Sequence, residues 1–198
     1  ARKRPLWEAR DIIPTEEIPD GLKTSEPRRY GIYTWADMLS PRQLLSLGTF
    51  VEELNNLREE MVVAVGEEKA EVLETYLSIA FNKAPNYNSR LAVWHALRTS
   101  MANTFNRHDF AFAWSHGEFD AAANLLPWCV DQIVDAYKGL ADLLKPAASS
   151  LSQKAFEFGS LTQLQGSAAR LAGLADASVD LIVTDPPYYD NVMYAELA

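Results

Sequence analysis

Cysteine is nearly missing from this chain: Cys129 stands alone among 198 residues. An internal disulfide is therefore excluded, and so is a cysteine-rich zinc module within these residues. A reduced, cytoplasmic setting is the simplest expectation. Long apolar runs are missing too. Nothing approaches the roughly 20 residues that cross a bilayer, so no membrane span is expected. The basic stretch Arg2-Lys3-Arg4 is not followed by an apolar run and does not read as a secretory signal. Positive charge is scarce, with 18 Lys and Arg against 27 Asp and Glu, a net charge of -9. Phosphate contacts need Lys and Arg, so this balance counts against the chain as a stand-alone DNA binder. The basic clusters at Arg2 to Arg4 and Arg28-Arg29 sit among acidic residues and read as a solvated tail and loop.

What is present is apolar enough, at 48%, for one good-sized core or two small ones. Residues 1–39 hold Pro5, Pro14, Pro19 and Pro27, a density that disfavours long helices. An irregular, surface-wrapping segment is expected, anchored by Trp7, Ile12, Ile13, Ile18 and Leu22. Ser40-Pro41 then supplies a capping hydroxyl and a proline at the first helical position. Leu44, Leu47, Val51, Leu54 and Leu57 follow at helical spacing, which predicts a helix that ends before Gly66. Ala70, Leu73, Leu77, Ala80 and Phe81 predict a second helix, ending near Pro85. A third is expected from about Asp120 to Leu144, with Leu125, Cys129, Ile133, Ala136, Leu140 and Leu143 as its stripe. Residues 40–146 thus read as a helical domain.

Between the second and third helices lie many aromatics. Phe110, Phe112 and Trp114 alternate with smaller or polar residues, a weak strand signal. The group reads chiefly as core filling; a platform for stacking bases is the alternative. His95, His108 and His116 have no short-range partner of the kind zinc needs, so no metal site is expected. Arg42 is expected to pair with a local carboxylate rather than a phosphate.

Ala147 to Ser152 reads as a linker into a third region, 147–198. Leu161 to Gln165 is a candidate short strand, and Val179 to Thr184 is the best strand signal in the chain. The latter is β-branched and mostly apolar, as a buried parallel strand should be. It leads directly into Asp185-Pro186-Pro187-Tyr188. Catalytic loops of open α/β sheets sit at such carboxyl ends. Asp185 offers a carboxylate acceptor and Pro186 a carbonyl. Neither proline has an N–H, and each holds φ near about -65°. Tyr188 offers a ring on which a base can lie.

The run from Ser178 to Tyr188 resembles the catalytic motif of the amino-group DNA methyltransferases that use S-adenosylmethionine. Its Asp-Pro-Pro-Tyr form is similar to the adenine-N6 enzymes. The longer run Asp185 to Leu197 resembles one branch, the large adenine-specific DNA methylases that carry a zinc ribbon and a domain of unknown function. Pro41-Arg42-Gln43-Leu44-Leu45, Tyr87-Asn88-Ser89, Trp94-His95 and Asn103-Thr104-Phe105 are similar to upstream pieces of that branch. The resemblance implies a mainly helical region followed by a partial Rossmann-like core with an incomplete sheet. It implies Asp185, Pro186, Pro187 and Tyr188 as catalytic residues acting on a flipped base. DNA and the remainder of a parent chain are the implied partners.

Departures from that family are equally informative. Its members hold the cofactor on a turn such as Phe-x-Gly-x-Gly, and here no two glycines are separated by one residue. The family's acidic ribose-binding residue is absent as well. Gly166-Ser167-Ala168 stands where these enzymes often show Gly-Asp-Ala, which makes Ser167 a candidate cofactor contact or a plain turn residue. The chain therefore reads as a fragment, inactive by itself, whose unpaired strands are open to self-association. A methyltransferase acting on RNA or protein, and a non-catalytic helical interaction module, remain the alternatives. Asp190 and Asn191 are expected to cap a helix over Val192 to Leu197.

Overall fold

The computed structural model describes residues 2–105, 109–110, 112–144, 159–188 and 192–194. The proline-containing segment forms only short elements: α1 (Arg4–Ala9), α2 (Ser25–Arg28) and a 3-10 turn at Trp35–Met38. Its backbone groups find partners across the segment itself. Ile18 N–H donates to the Tyr33 carbonyl at 2.8 Å, and Ala36 N–H donates to that of Pro14 at 2.9 Å. Trp7, Ile13, Ile18 and Ile32 are buried, and Ile12 packs beside Trp7. Leu22 is a correction, because it is exposed rather than an anchor.

The segment is joined to the helices by an ion pair of Lys3 with Glu52 at 2.7 Å and by a close apolar contact. Trp7 lies against Gly48, 2.7 Å from where a Cβ would stand. A glycine inside a helix costs about 1 kcal/mol relative to alanine; here it admits the indole.

Two long helices follow, α3 (Pro41–Val65) and α4 (Glu67–Tyr87). The start of α3 is a reciprocal cap. Gln43 N–H donates to Ser40 Oγ at 3.2 Å, and Ser40 N–H donates to Gln43 Oε1 at 2.8 Å. Gly66 separates the helices with φ 86°, a conformation that strains any residue with a Cβ. α4 runs two residues past Pro85, because a proline near a helix end removes only one N–H from the ladder.

Then comes a small antiparallel hairpin, β1 (Trp94–His95) and β2 (Ser100–Met101), with Trp94 opposite Met101. The strand expected at Phe110 to Trp114 is not among the described elements. Phe110 is buried instead against Ile18 and Ile32, while Phe112 stacks on Tyr30 with centroids 4.2 Å apart. Ring packing rather than ladder pairing holds this stretch, and the core reading holds for these two. Trp114 is exposed.

The third helix is interrupted at its start. Ala121–Leu125 forms a π turn, and α5 proper is Leu126–Leu143. Pro127 has no N–H to donate, so a regular ladder cannot pass through it. The wider turn instead carries Leu125 N–H to the Asp120 carbonyl at 2.9 Å, and Asp120 caps Ala123 N–H at 2.9 Å.

Side-chain pairs give the helix directions. Phe50 stacks on Phe81 and Arg58 pairs with Glu74, while Tyr76 meets Tyr137 and Tyr87 meets Trp128. Rising numbers on one helix meet falling numbers on the next, so α3, α4 and α5 run antiparallel in turn. α4 packs on both neighbours, and Leu47, Ala80, Ala84, Leu125 and Cys129 fill the junction.

The architecture is mainly helical, with one small two-stranded sheet among the described residues. Leu161 to Gln165 and Val179 to Thr184 are corrections. Both lie as irregular, unpaired backbone, and every residue from 159 to 188 is exposed. A parallel strand takes all its hydrogen bonds from neighbouring strands; with none beside it, this apolar run forms no sheet. The linker expected from Ala147 to Ser152 lies outside the described residues, as do Asp190, Asn191 and the last four residues. No described helix is long and apolar enough to cross a membrane.

Candidate functional site

Asp185-Pro186-Pro187-Tyr188 lies on exposed backbone directly after the apolar run Val179 to Thr184. Its two prolines leave only Asp185 and Tyr188 with an N–H. That of Tyr188 donates to the Tyr194 hydroxyl at 3.2 Å, which ties the end of the tetrapeptide to the residues that follow. The Asp185 carboxylate makes no hydrogen bond or ion pair among the described residues, and the Tyr188 ring is 63% exposed. A carboxylate, a carbonyl at Pro186 and a ring are thus presented together, open to a partner from solution. In the sequence Tyr194 read only as part of the helix expected over Val192 to Leu197, not as a partner of the motif.

Ser167 sits in a separate turn. Its hydroxyl accepts the Ala169 N–H at 3.3 Å, and its carbonyl accepts the Arg170 N–H at 3.0 Å. Ala168, Leu171, Leu174, Val179 and Ile182 border a shallow cleft nearby, and neither Ser167 nor the tetrapeptide lines it. The residues present do not fit S-adenosylmethionine. The one candidate hydroxyl accepts a hydrogen bond within its own turn, and among the described residues no Gly-x-Gly turn stands beside it.

Three of the four upstream pieces of the resemblance meet in the helical body, while Trp94-His95 lies in the hairpin. Gln43 and Asn88 are both buried, and Gln43 Nε2 donates to Asn88 Oδ1 at 3.1 Å. Asn88 then clasps Phe119, accepting its N–H at 3.0 Å and donating to its carbonyl at 3.2 Å. One residue on, Ser89 Oγ meets Thr104 Oγ1 at 2.7 Å, and Thr104 donates to the Asn86 carbonyl at 2.9 Å. These side chains satisfy one another and the ends of α3 and α4. Their place is structural: they fix where the chain leaves α4 and where it enters the π turn.

At the edge of this junction Arg42 pairs with Glu118, Nη2 to Oε2 at 2.6 Å. Ser40 Oγ donates to the other carboxylate oxygen at 2.7 Å. The Arg42 hydrogen bond, then that of Ser40, holds the Glu118 carboxyl below its ordinary value. Arg42 therefore has a carboxylate partner, but the local one expected is a correction: Glu118 lies 76 positions away and is brought near by the fold. No sequence pattern singled out Glu118.

Asp37 is also lowered. Burial alone would raise it, but the Thr34 and Tyr33 N–H groups outweigh burial by donating to the carboxylate. Burial pushes the Cys129 thiol up, which keeps it protonated and unreactive. His95 and His116 are half-buried and His108 lies outside the described residues; no cluster of three or more metal-ligating side chains occurs among the described residues.

No protein-family model, curated protein or solved structure matches the chain.

Proposed function

We propose that this chain carries the base-holding loop of an S-adenosylmethionine-dependent DNA methyltransferase, acting on adenine N6, with the cofactor held by parts of the enzyme outside these residues. The observation that carries this reading is the exposed Asp185-Pro186-Pro187-Tyr188 loop at the end of a β-branched apolar run. The exocyclic amine of adenine is a weak nucleophile because its lone pair is delocalised into the ring. It also lies inside the duplex until the base is flipped out. Asp185 and the Pro186 carbonyl would accept its two hydrogens, which localises electron density on nitrogen. Tyr188 would lie on the base, a contact worth about 1–3 kcal/mol. The partial Rossmann-like core belongs to this proposal: Val179 to Thr184 becomes a sheet strand once neighbouring strands are supplied. By the same reasoning the 198-residue chain alone transfers no methyl group.

The test is label transfer from S-adenosylmethionine to DNA by the enzyme containing this chain, comparing wild type with Asp185→Ala. Labelled N6-methyladenine in the wild type, with a loss of about 100-fold or more in the variant, supports the reading. Equal labelling by the two proteins sinks the assignment of Asp185. Label in RNA or protein rather than DNA moves the same loop to another acceptor.

A further inference from the structure

Positive charge gathers at one place in this acidic chain. Arg2, Lys3, Arg4 and Arg90 border a pocket of about 610 Å³ where the N-terminal segment meets the start of α3. Asp37 is the one described acidic residue that lines it. The stretch Arg2 to Arg4 is therefore not the solvated tail expected from its neighbours. α1 begins at Arg4, and Trp7, buried against Gly48, holds it to the body.

Some of this charge is already matched. Lys3 pairs with Glu52, which Arg10 shares at 3.8 Å. Arg4 pairs with Glu8 at 2.7 Å and reaches Asp37 at 3.8 Å. Asp37 also accepts the N–H groups of Tyr33 and Thr34. Arg42, next to Pro41 of the pocket lining, is matched by Glu118. Arg2 and Arg90 have no carboxylate partner among the described residues. Arg2 is exposed and Arg90 is half-buried. One N–H of the Arg90 guanidinium donates to the Asp37 carbonyl at 3.0 Å, which holds the group at the pocket and leaves its other donors open. A carbonyl does not neutralise a guanidinium, and a charge drawn partly out of water without a counter-ion is unfavourable.

We propose that this pocket binds a phosphate group of a DNA backbone, with Arg2 and Arg90 as its donors. A planar guanidinium meets two phosphate oxygens at once. The choice of DNA over an acidic peptide rests on the methyltransferase reading of Asp185, since an enzyme that holds a flipped base must also hold the strand that carries it. The chain's other surfaces are acidic and repel that strand, so the pocket fixes where it crosses.

The 198-residue chain is titrated into fluorescently labelled oligothymidylate of about ten nucleotides, followed by anisotropy at several salt concentrations. Binding that weakens as salt rises is expected. Arg2→Gln with Arg90→Gln is expected to lose at least about tenfold in affinity. Arg98→Gln with Arg170→Gln removes the same charge at exposed positions outside the pocket and is expected to change it by less than about twofold. Circular dichroism and the thermal midpoint check each fold. A second arm leaves the arginines in place. Leu45 lines the pocket and is 52% exposed, while Val63 on the same helix is 89% exposed and outside it. Leu45→Glu is expected to lose at least about tenfold, and Val63→Glu to bind as wild type. Equal losses in the paired variants, or no loss at Leu45→Glu, overturn the proposal. A glutamate-rich peptide that binds as tightly overturns it too, as does free thymidine monophosphate that displaces the strand at equal phosphate concentration. If oligothymidylate binds through Arg2 and Arg90 but label transfer to DNA fails, the reading of Asp185 falls and the pocket stands. Label transfer without this binding sinks the pocket alone.

Discussion

The helices α3 to α5 and the segment 159–188 both hold Leu, Val and Ile, and they treat them in opposite ways. Leu47 and Leu125 are buried, at 2% and 0% exposure, while Leu181 and Val183 stand at 77% and 85%. A helix closes its own backbone hydrogen bonds, so two or three amphipathic helices can pair on their apolar stripes and be complete. A strand closes none by itself. Val179 to Thr184 has the composition of a buried strand and lacks the neighbours that would bury it. Apolar content therefore decides what a segment needs, and the available partners decide whether it folds.

The contrast is sharpest at Leu125 and Val183. Leu125→Ala is expected to destabilise the chain by about 3 kcal/mol through lost burial and the cavity left behind. Val183→Ala is expected to change stability by less than about 0.5 kcal/mol. Urea unfolding followed by circular dichroism measures both. A large loss at Val183 would mean that the segment packs on the body after all, and the comparison would break.

A second prediction concerns polar burial. Asn88→Ala removes the group that joins α3 to Phe119 and leaves buried partners without hydrogen bonds. It is expected to cost about 2 kcal/mol in the same experiment. If Asn88→Ala is neutral, the junction of Gln43, Asn88 and Phe119 does not hold the helical body together.

The smallest expected effect is on the acid side. Arg42 and Ser40 hold the folded Glu118 below its ordinary value of 4.5. A depressed folded value contributes stability above the unfolded one, and this is lost as pH falls through the folded one. Glu118→Gln should therefore be less stable than wild type near neutrality, with the difference shrinking below about pH 4.5. Midpoints of thermal unfolding measured from pH 3 to 7 check it. A difference that does not vary with pH would remove the ionic component and leave only packing.

Much of the helical part was legible because its signals are local. Ser40, Pro41 and Gln43 set the start of α3, and Gly66 its end, through groups within one turn of each other. The π turn before α5 is likewise explained by Pro127, although periodicity alone read it as regular helix. The pairings at the junction were not legible. Arg42 and Glu118 are 76 positions apart, and Gln43 and Asn88 are 45 apart. The short pieces containing Gln43, Asn88 and Thr104 stood out as a resemblance to one methylase branch, yet their physical role emerged only from their contacts. The Asp185-Pro186-Pro187-Tyr188 loop was visible as a motif, while its tie to Tyr194 was not.

By itself, then, the sequence determined where α3 begins and stops, that the chain is acidic, and that a stiff proline loop ends in a tyrosine ring. Each of these depends on groups a few bonds or one turn apart. Only the tertiary structure decided which polar groups satisfy one another, that the N-terminal segment closes over Gly48 through Trp7, and that Arg2 and Arg90 come to line one pocket. Those outcomes depend on which distant surfaces meet. The strand before Asp185 belongs with them, since a strand exists only when another backbone lies beside it.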